Sequence, residues 1–366
     1  MLVVAKVGTS SLTDVAGRIN VASIAKITAE IAVARTAGHR VVLVSSGAIA
    51  AGLAPLGFAD ARPNDLATLQ AVAAVGQHRL MAQWDHHFGV HDIVPGQVLL
   101  DPYDFSMARS QYLHARQTLD RLLELGVVPI INENDAVADD EIRFGDNDQL
   151  AALVAHMVGA DLLVLLTDTA GLFTSDPRHD DGASLIEEIV LVDAAIEAAA
   201  GGTGSRRGSG GMASKLAAAK IAAWSGVRAI IAASARPDVL IDAVNGVAGV
   251  GTSFRPKDRR LGARKLWIAF AVGAEGTVVV DAGARRALIE RGTSLLPAGV
   301  VSVKGAFAAG AAVEVATPDG EVFAKGLVGH DSATIEAWAG RRTDELDLAA
   351  GVGATVIHRD DLVVLP

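Results

Sequence analysis

Val41-Val42-Leu43-Val44-Ser45-Ser46-Gly47-Ala48 is the stretch on which the fold turns. Four branched apolar residues in a row leave no polar face, so the run reads as a strand covered on both sides, as in a mainly parallel sheet. The small polar turn behind it opens a helix. It can be an ordinary cap or an anion site, because the first N–H groups of a helix lack partners and face outward at its positive end. The same order recurs on either side. Apolar runs at 3–7, 127–131, 162–166 and 227–232 alternate with helical spacing over 64–88, 106–125, 149–158 and 212–225. This alternation predicts an α/β fold, a three-layer sandwich around a mainly parallel sheet, with ligands gathered at the carboxyl ends of the strands.

At roughly 150 residues per domain, 366 residues favour two domains. The composition changes at Ser253-Phe254-Arg255-Pro256-Lys257-Asp258-Arg259-Arg260, a charged stretch without periodicity. It divides the chain into a domain over 1–252, a linker over 253–265 and a small β-rich barrel over 266–366. Short β-like runs at 277–280, 300–303, 312–315 and 322–324 carry that last expectation. Hydrophobic residues at 51% and charged residues at 20% exclude a largely disordered chain. The absence of cysteine excludes disulfides, thiolate metal sites and a cysteine nucleophile. A net charge of −10 argues against a general nucleic-acid binder. The uncharged stretch 41–59 is broken by Gly47, Gly52, Pro55 and Gly57 and reads poorly as a membrane span. Residues 1–6 do not read as a signal peptide, and a cytoplasmic location is expected.

Five segments sit where strands end. Lys6 closes an otherwise apolar strand, where burial costs energy unless an anion or carboxylate meets it, and Gly8, Thr9, Ser10 and Ser11 follow as donors. Taken alone, Lys6 can equally be a strand-end lysine reaching solvent. Ser45-Ser46-Gly47 is the second segment. The third is Asn132-Glu133-Asn134-Asp135 with the acidic loop Asp139-Asp140-Glu141 and Gly145-Asp146-Asn147-Asp148, a set that can hold an ammonium group or order a cation through water. Asp146, Asn147 or Asp148 can also simply cap a helix beginning near Gln149. The fourth segment is Thr167-Asp168. The fifth is the glycine-rich run 201–211 leading into Met212-Ala213-Ser214-Lys215, where a lysine in a first helical turn opposes the dipole unless an anion meets it. The Walker A spacing is absent. Together these groups suit transfer of a phosphoryl group to an anionic acceptor. His86, His87 and His91 read as a solvated helix end.

In their order and wording, segments 6–10, 42–51, 132–137, 145–148, 171–178 and 210–215 resemble the amino-acid kinase family, specifically its bacterial glutamate-phosphorylating branch. Gly292-Thr293-Ser294-Leu295-Leu296-Pro297 and His358-Arg359-Asp360-Asp361 resemble a PUA domain. The resemblance implies that ATP with Mg²⁺ phosphorylates the γ-carboxylate of L-glutamate as the first step of proline biosynthesis. It also implies a homodimer or homotetramer, with L-proline as a feedback inhibitor. Carried over by position, it makes Lys6, Asp148 and Lys215 the catalytic set. It assigns ATP to Lys6, Thr167, Asp168, Ser209, Gly210, Gly211, Met212, Ala213, Ser214 and Lys215, and glutamate to Ser46, Asp135 and Asn147; it names no metal ligand. Ser209 and Ser214 stand where the family commonly has threonine and keep the hydroxyl, whereas Phe173 replaces a common tyrosine and loses it.

A γ-carboxylate is ionised at neutral pH and needs no general base; the difficulty is bringing one anion to another. Lys6 and Lys215 are expected to supply positive charge at the transferring group, with Asp148 holding them in place. Two alternatives remain open at this stage: a kinase of the same fold acting on aspartate, N-acetylglutamate, carbamate or a nucleoside monophosphate, and an RNA-binding protein working through the C-terminal domain. Residues 266–366 carry 8 basic and 13 acidic side chains, which makes nucleic acid a poor match.

Overall fold

A computed structural model of the chain describes all residues except 15, 60, 102–108, 138–146, 178, 181, 201–210, 258–260, 347–352 and 366. The chain divides into two compact units, Met1–Arg260 and Leu261–Pro366.

The first unit is built on an eight-stranded sheet in the order β3-β4-β2-β1-β5-β7-β8-β6. The strands are β1 (Leu2–Val7), β2 (Arg40–Ser45), β3 (Pro95–Leu100), β4 (Val128–Glu133), β5 (Leu162–Thr167), β6 (Glu188–Ile189), β7 (Arg228–Ala233) and β8 (Thr252–Phe254). All pairings are parallel except β7 with β8. Every residue of β1, β4 and β5 is buried, which is why those sequences show no polar alternation. The central register sets Lys6 opposite Val44 on one side and Leu165 on the other, so the ends of β1, β2 and β5 form one continuous edge.

The described helices of this unit are α1 (Thr9–Leu12), α2 (Val21–Thr36), α3 (Ala48–Leu53), α4 (Leu66–Gly89), α5 (Arg109–Glu124), α6 (Asn147–Val158), α7 (Ala194–Ala199), α8 (Met212–Trp224) and α9 (Val239–Asn245). The core under the sheet joins Val3, Leu43 and Val164 to Ile27 and Ile31 of α2 and to Trp84 and Phe88 of α4. Helix α2 lies outside the segments that periodicity picks out, because exposed Val21 and Val33 and several alanines blur its apolar stripe. Strand β3 escapes notice for a different reason. It is an edge strand that begins at Pro95 and carries Gly96 and Gln97, so it lacks the apolar run of its neighbours.

Helix α4 carries the local geometry of the site. Asp65 caps it, accepting from the Thr68 N–H at 2.9 Å. Helices α3 and α4 then meet at bare backbone: a Cβ on Gly76 would stand 1.8 Å from the Ala48 carbonyl oxygen, and one on Gly52 would stand 2.0 Å from that of Val72. Only paired glycines permit that approach.

The second unit holds a five-stranded, mostly antiparallel sheet: β9 (Gly276–Val280), β10 (Val300–Lys304), β11 (Ala312–Ala316), β12 (Val322–Val328) and β13 (Ile357–Val364). Strands β9 and β11 are its parallel pair. The stretch expected as a linker, 253–265, is structured at both ends. Ser253 and Phe254 belong to β8 of the first sheet, and Arg264 meets Asp361 of the second unit at 2.5 Å. Among the described residues, no helix is long and apolar enough to cross a membrane.

Candidate active site

Three chain segments distant in sequence meet on one carboxylate. Asp148, in the first turn of α6, forms an ion pair through Oδ1 with Lys6 Nζ at 2.5 Å and accepts from Lys215 Nζ on Oδ2 at 3.3 Å. Ser214 Oγ donates to the same Oδ2 at 2.6 Å. All three charged side chains are buried, at 2% exposure for Lys6, 0% for Asp148 and 4% for Lys215. Lys6 therefore does not reach to solvent, and Asp148 does not serve as a cap. Burial pushes the Asp148 carboxyl up, but the two lysines and the hydroxyl outweigh it and hold the carboxyl below its ordinary value. Asp148 is thus ionised and fixed in place, a poor candidate for a proton acceptor. Burying such a triad is seldom worthwhile for stability alone. Two ammonium groups thus share this carboxylate beside a cavity.

That cavity measures about 390 Å³ and is lined by, among others, Lys6, Lys215, Ser46, Asp135, Asn147 and Arg62. Asn147 is part of that lining, and its two backbone partners set which amide atom is nitrogen. Nδ2 donates to Asn132 Oδ1 at 2.8 Å, Ser46 Oγ at 3.1 Å and the Ser45 carbonyl at 3.4 Å, while Oδ1 accepts from the Glu133 N–H at 3.2 Å. Asn147 thereby ties the ends of β2 and β4 to α6. Helix α4 braces the set from outside: Asn132 Nδ2 donates to Gln77 Oε1 at 2.7 Å, and Trp84 Nε1 donates to Ser45 Oγ at 3.0 Å. Gly47, between Ser46 and Ala48, has φ +104°, a conformation that a side chain would strain.

Asp135 is half-buried on the cavity wall, and burial raises its carboxyl to about 6. A carboxylate with so little solvation is stabilised by an arriving cation. Thr167 ends β5 and Asp168 follows it, with Thr167 Oγ1 donating to Asp168 Oδ1 at 3.0 Å; neither lines the cavity. Gly211, Met212 and Ala213 open α8 outside the cavity as well. Ser209 and Gly210, the acidic residues Asp139, Asp140 and Glu141, and Gly145 and Asp146 lie outside the described residues. Sequence reasoning did not reach Gln77, Trp84 or Arg62. The first two lie mid-helix at spacing indistinguishable from core packing, and Arg62 precedes Pro63 in a loop with no motif around it.

Comparison with known proteins places the sequence in a family. The amino acid kinase family profile covers residues 1–233, and the PUA domain profile covers 276–347. Glutamate 5-kinase of Herpetosiphon aurantiacus is 47% identical over 365 residues, covering 99% of this chain and 98% of its own. Glutamate 5-kinase of Bifidobacterium adolescentis is 48% identical, covering 99% and 95%. The chain belongs to the glutamate 5-kinase branch of the amino acid kinase family. Among solved structures, carbamate kinase from Giardia lamblia bound to AMP-PNP matches with a TM-score of 0.51 at 18% identity, over 70% of this chain and 98% of its own. That likeness speaks to the fold of the kinase domain alone. Membership makes the chain a kinase with ATP as its donor.

Proposed function

We propose that the chain transfers the γ-phosphoryl group of ATP to the γ-carboxylate of L-glutamate, giving γ-glutamyl phosphate and ADP. The observation that carries the reading is the triad: two buried ammonium groups, from β1 and α8, fixed by Asp148 on the lining of a cavity of about 390 Å³. In this reading a γ-carboxylate oxygen attacks the γ-phosphorus, a C–O–P linkage forms, the bond to the β-phosphate oxygen breaks, and the electron pair leaves on ADP. No proton is transferred. Lys6 and Lys215 neutralise the phosphoryl oxygens as the two anions approach, and Asp148 keeps the ammonium groups aimed. Asp135 takes the substrate's ammonium group, with Asn147 and Ser46 hydrogen-bonding beside it. Thr167, Asp168 and residues 209–215 hold the nucleotide.

Magnesium enters with ATP as part of the substrate. Among the described residues no cluster of three His, Asp or Glu side chains offers it a cage, and Asp148 is already held by two lysines. Resemblance to glutamate 5-kinases further supports a cytoplasmic homodimer or homotetramer acting first in proline biosynthesis, with L-proline as inhibitor. The test is a coupled ADP-release assay across glutamate, aspartate, N-acetylglutamate and carbamate, with the acyl phosphate trapped by hydroxylamine. The expected result is glutamate-dependent ADP release and a γ-hydroxamate. Preference for another acid by ten-fold or more in kcat/KM would overturn the reading.

A further inference from the structure

Among the described residues the cavity wall carries four charged side chains, Lys6, Lys215, Asp135 and Arg62. The proposed function uses the first three and leaves the guanidinium without a role. Arg62 comes from the connection between Gly57 and the α4 cap Asp65, not from a strand end, and it makes no hydrogen bond or ion pair among the described residues. Pro63 behind it restricts its backbone to extended conformations. The glycine contact between α3 and α4 fixes the two helices that this connection joins. The connection thus runs between two fixed helices, and Arg62, an exposed residue on the cavity lining, has no partner for its guanidinium among the described residues.

An amino dicarboxylate brings three charges into this space. Its reacting carboxylate must face the phosphoryl group beside Lys6 and Lys215, and its ammonium pairs with Asp135. The second carboxylate remains, and among the described residues Arg62 is the lining cation not already tied to Asp148. A guanidinium presents paired N–H donors in the plane a carboxylate needs. We infer that Arg62 binds the α-carboxylate of the acceptor and so selects an α-amino dicarboxylate over acids lacking that group. The inference rests on glutamate being the acceptor.

The test compares L-glutamate with its α-carboxamide, L-isoglutamine, which keeps the reacting γ-carboxylate and the ammonium but removes the anion that Arg62 would meet. Steady-state constants are measured for the full-length wild type, Arg62→Ala and Arg62→Lys, with isoglutamine read as KM or, if turnover is slow, as Ki against glutamate. Losing a charge-assisted hydrogen bond of this kind costs about ten-fold or more in affinity. Arg62→Ala should therefore raise KM for glutamate by about that factor and leave that of isoglutamine nearly unchanged, closing the gap the wild type shows. Arg62→Lys should fall between, and KM for ATP and the melting temperature should not move. A wild type that fails to distinguish the two acceptors, or an Arg62→Ala enzyme that weakens both equally or neither, overturns the assignment. Absence of glutamate-dependent ADP release by the wild type overturns the acceptor itself, a separate and earlier failure.

Discussion

Lys6 Nζ lies 2.5 Å from Asp148 Oδ1, joining the end of the central strand to the first turn of α6. The contact is inside the protein, and the same carboxylate holds Lys215 on its other oxygen. A lysine pointing inward from an apolar strand is tolerable only with such a partner.

Removing either ammonium group tests whether they act on the reacting phosphoryl group. Lys6→Ala and Lys215→Ala should each lower kcat by about 10²–10³-fold while circular dichroism shows a folded chain. Near-normal turnover in either variant would mean that the lysine is structural.

Asp148→Asn should be worse for the fold than either lysine variant. It leaves two buried ammonium groups facing one another, and breaking a buried pair from this side costs about 3–5 kcal/mol. Because Asp148 is held below its ordinary value of 3.8, its stabilising contribution is complete above that pH and is lost as pH falls through the depressed value. Acid unfolding followed by fluorescence should therefore show a steeper loss below the ordinary carboxylate range in the wild type than in Asp148→Asn. Superimposable acid transitions would contradict the pairing.

Asp135 behaves oppositely. Its carboxyl is raised to about 6, so the acceptor-binding charge is lost as pH drops through that value. KM for glutamate should climb below pH 6 while KM for ATP stays level, and Asp135→Asn should abolish this dependence at an already high KM. A raised carboxyl favours the fold when protonated, and this advantage disappears above the raised value. Asp135→Asn should therefore stabilise the protein at pH 7.5, by up to about 2 kcal/mol in thermal melts, since a shift of one unit is worth about 1.4 kcal/mol and the group is only partly buried. A variant that lost glutamate binding and stability together would refute this account.

Asn147→Asp replaces a donor with an acceptor where Asn132 Oδ1, Ser46 Oγ and the Ser45 carbonyl already accept. The expected cost is about 1–3 kcal/mol for setting a carboxylate oxygen against the Ser45 carbonyl and Asn132 Oδ1, with loss of glutamate binding, and Asn147→Ala, which adds no such repulsion, should be the milder change for the fold. Equal melting temperatures for the two variants would count against the hydrogen-bond assignment.

Gly76→Ala should destabilise sharply, because its Cβ would stand 1.8 Å from the Ala48 carbonyl oxygen, although alanine is ordinarily the better helix former by about 1 kcal/mol. Gly89→Ala, at the open end of the same helix with nothing within 4 Å, should be neutral or stabilising. Similar melting temperatures in the two variants would show that α3 and α4 are not in backbone contact.

The catalytic candidates were legible because strand ends expose them: Lys6, Ser46, Asp135, Asn147, Asp148 and Lys215 each follow an apolar run or open a helix. Their partners were not. Gln77 and Trp84 are one face of a long helix, and only the crossing of α3 on α4 turns that face toward Asn132 and Ser45. Whether Asn147 and Asp148 capped a helix or entered the site also depended on what stood opposite them.

Local patterning by itself determined the layered α/β architecture, the second β-rich unit and the chemical inventory, because apolar periodicity and residue type are properties of neighbouring positions. Tertiary structure alone decided that Lys6 and Lys215 share one carboxylate, that burial raises Asp135, and that Arg62 faces the cavity. Each of these is an electrostatic relation between groups far apart in the chain, set by distance and solvent exclusion that no stretch of sequence contains.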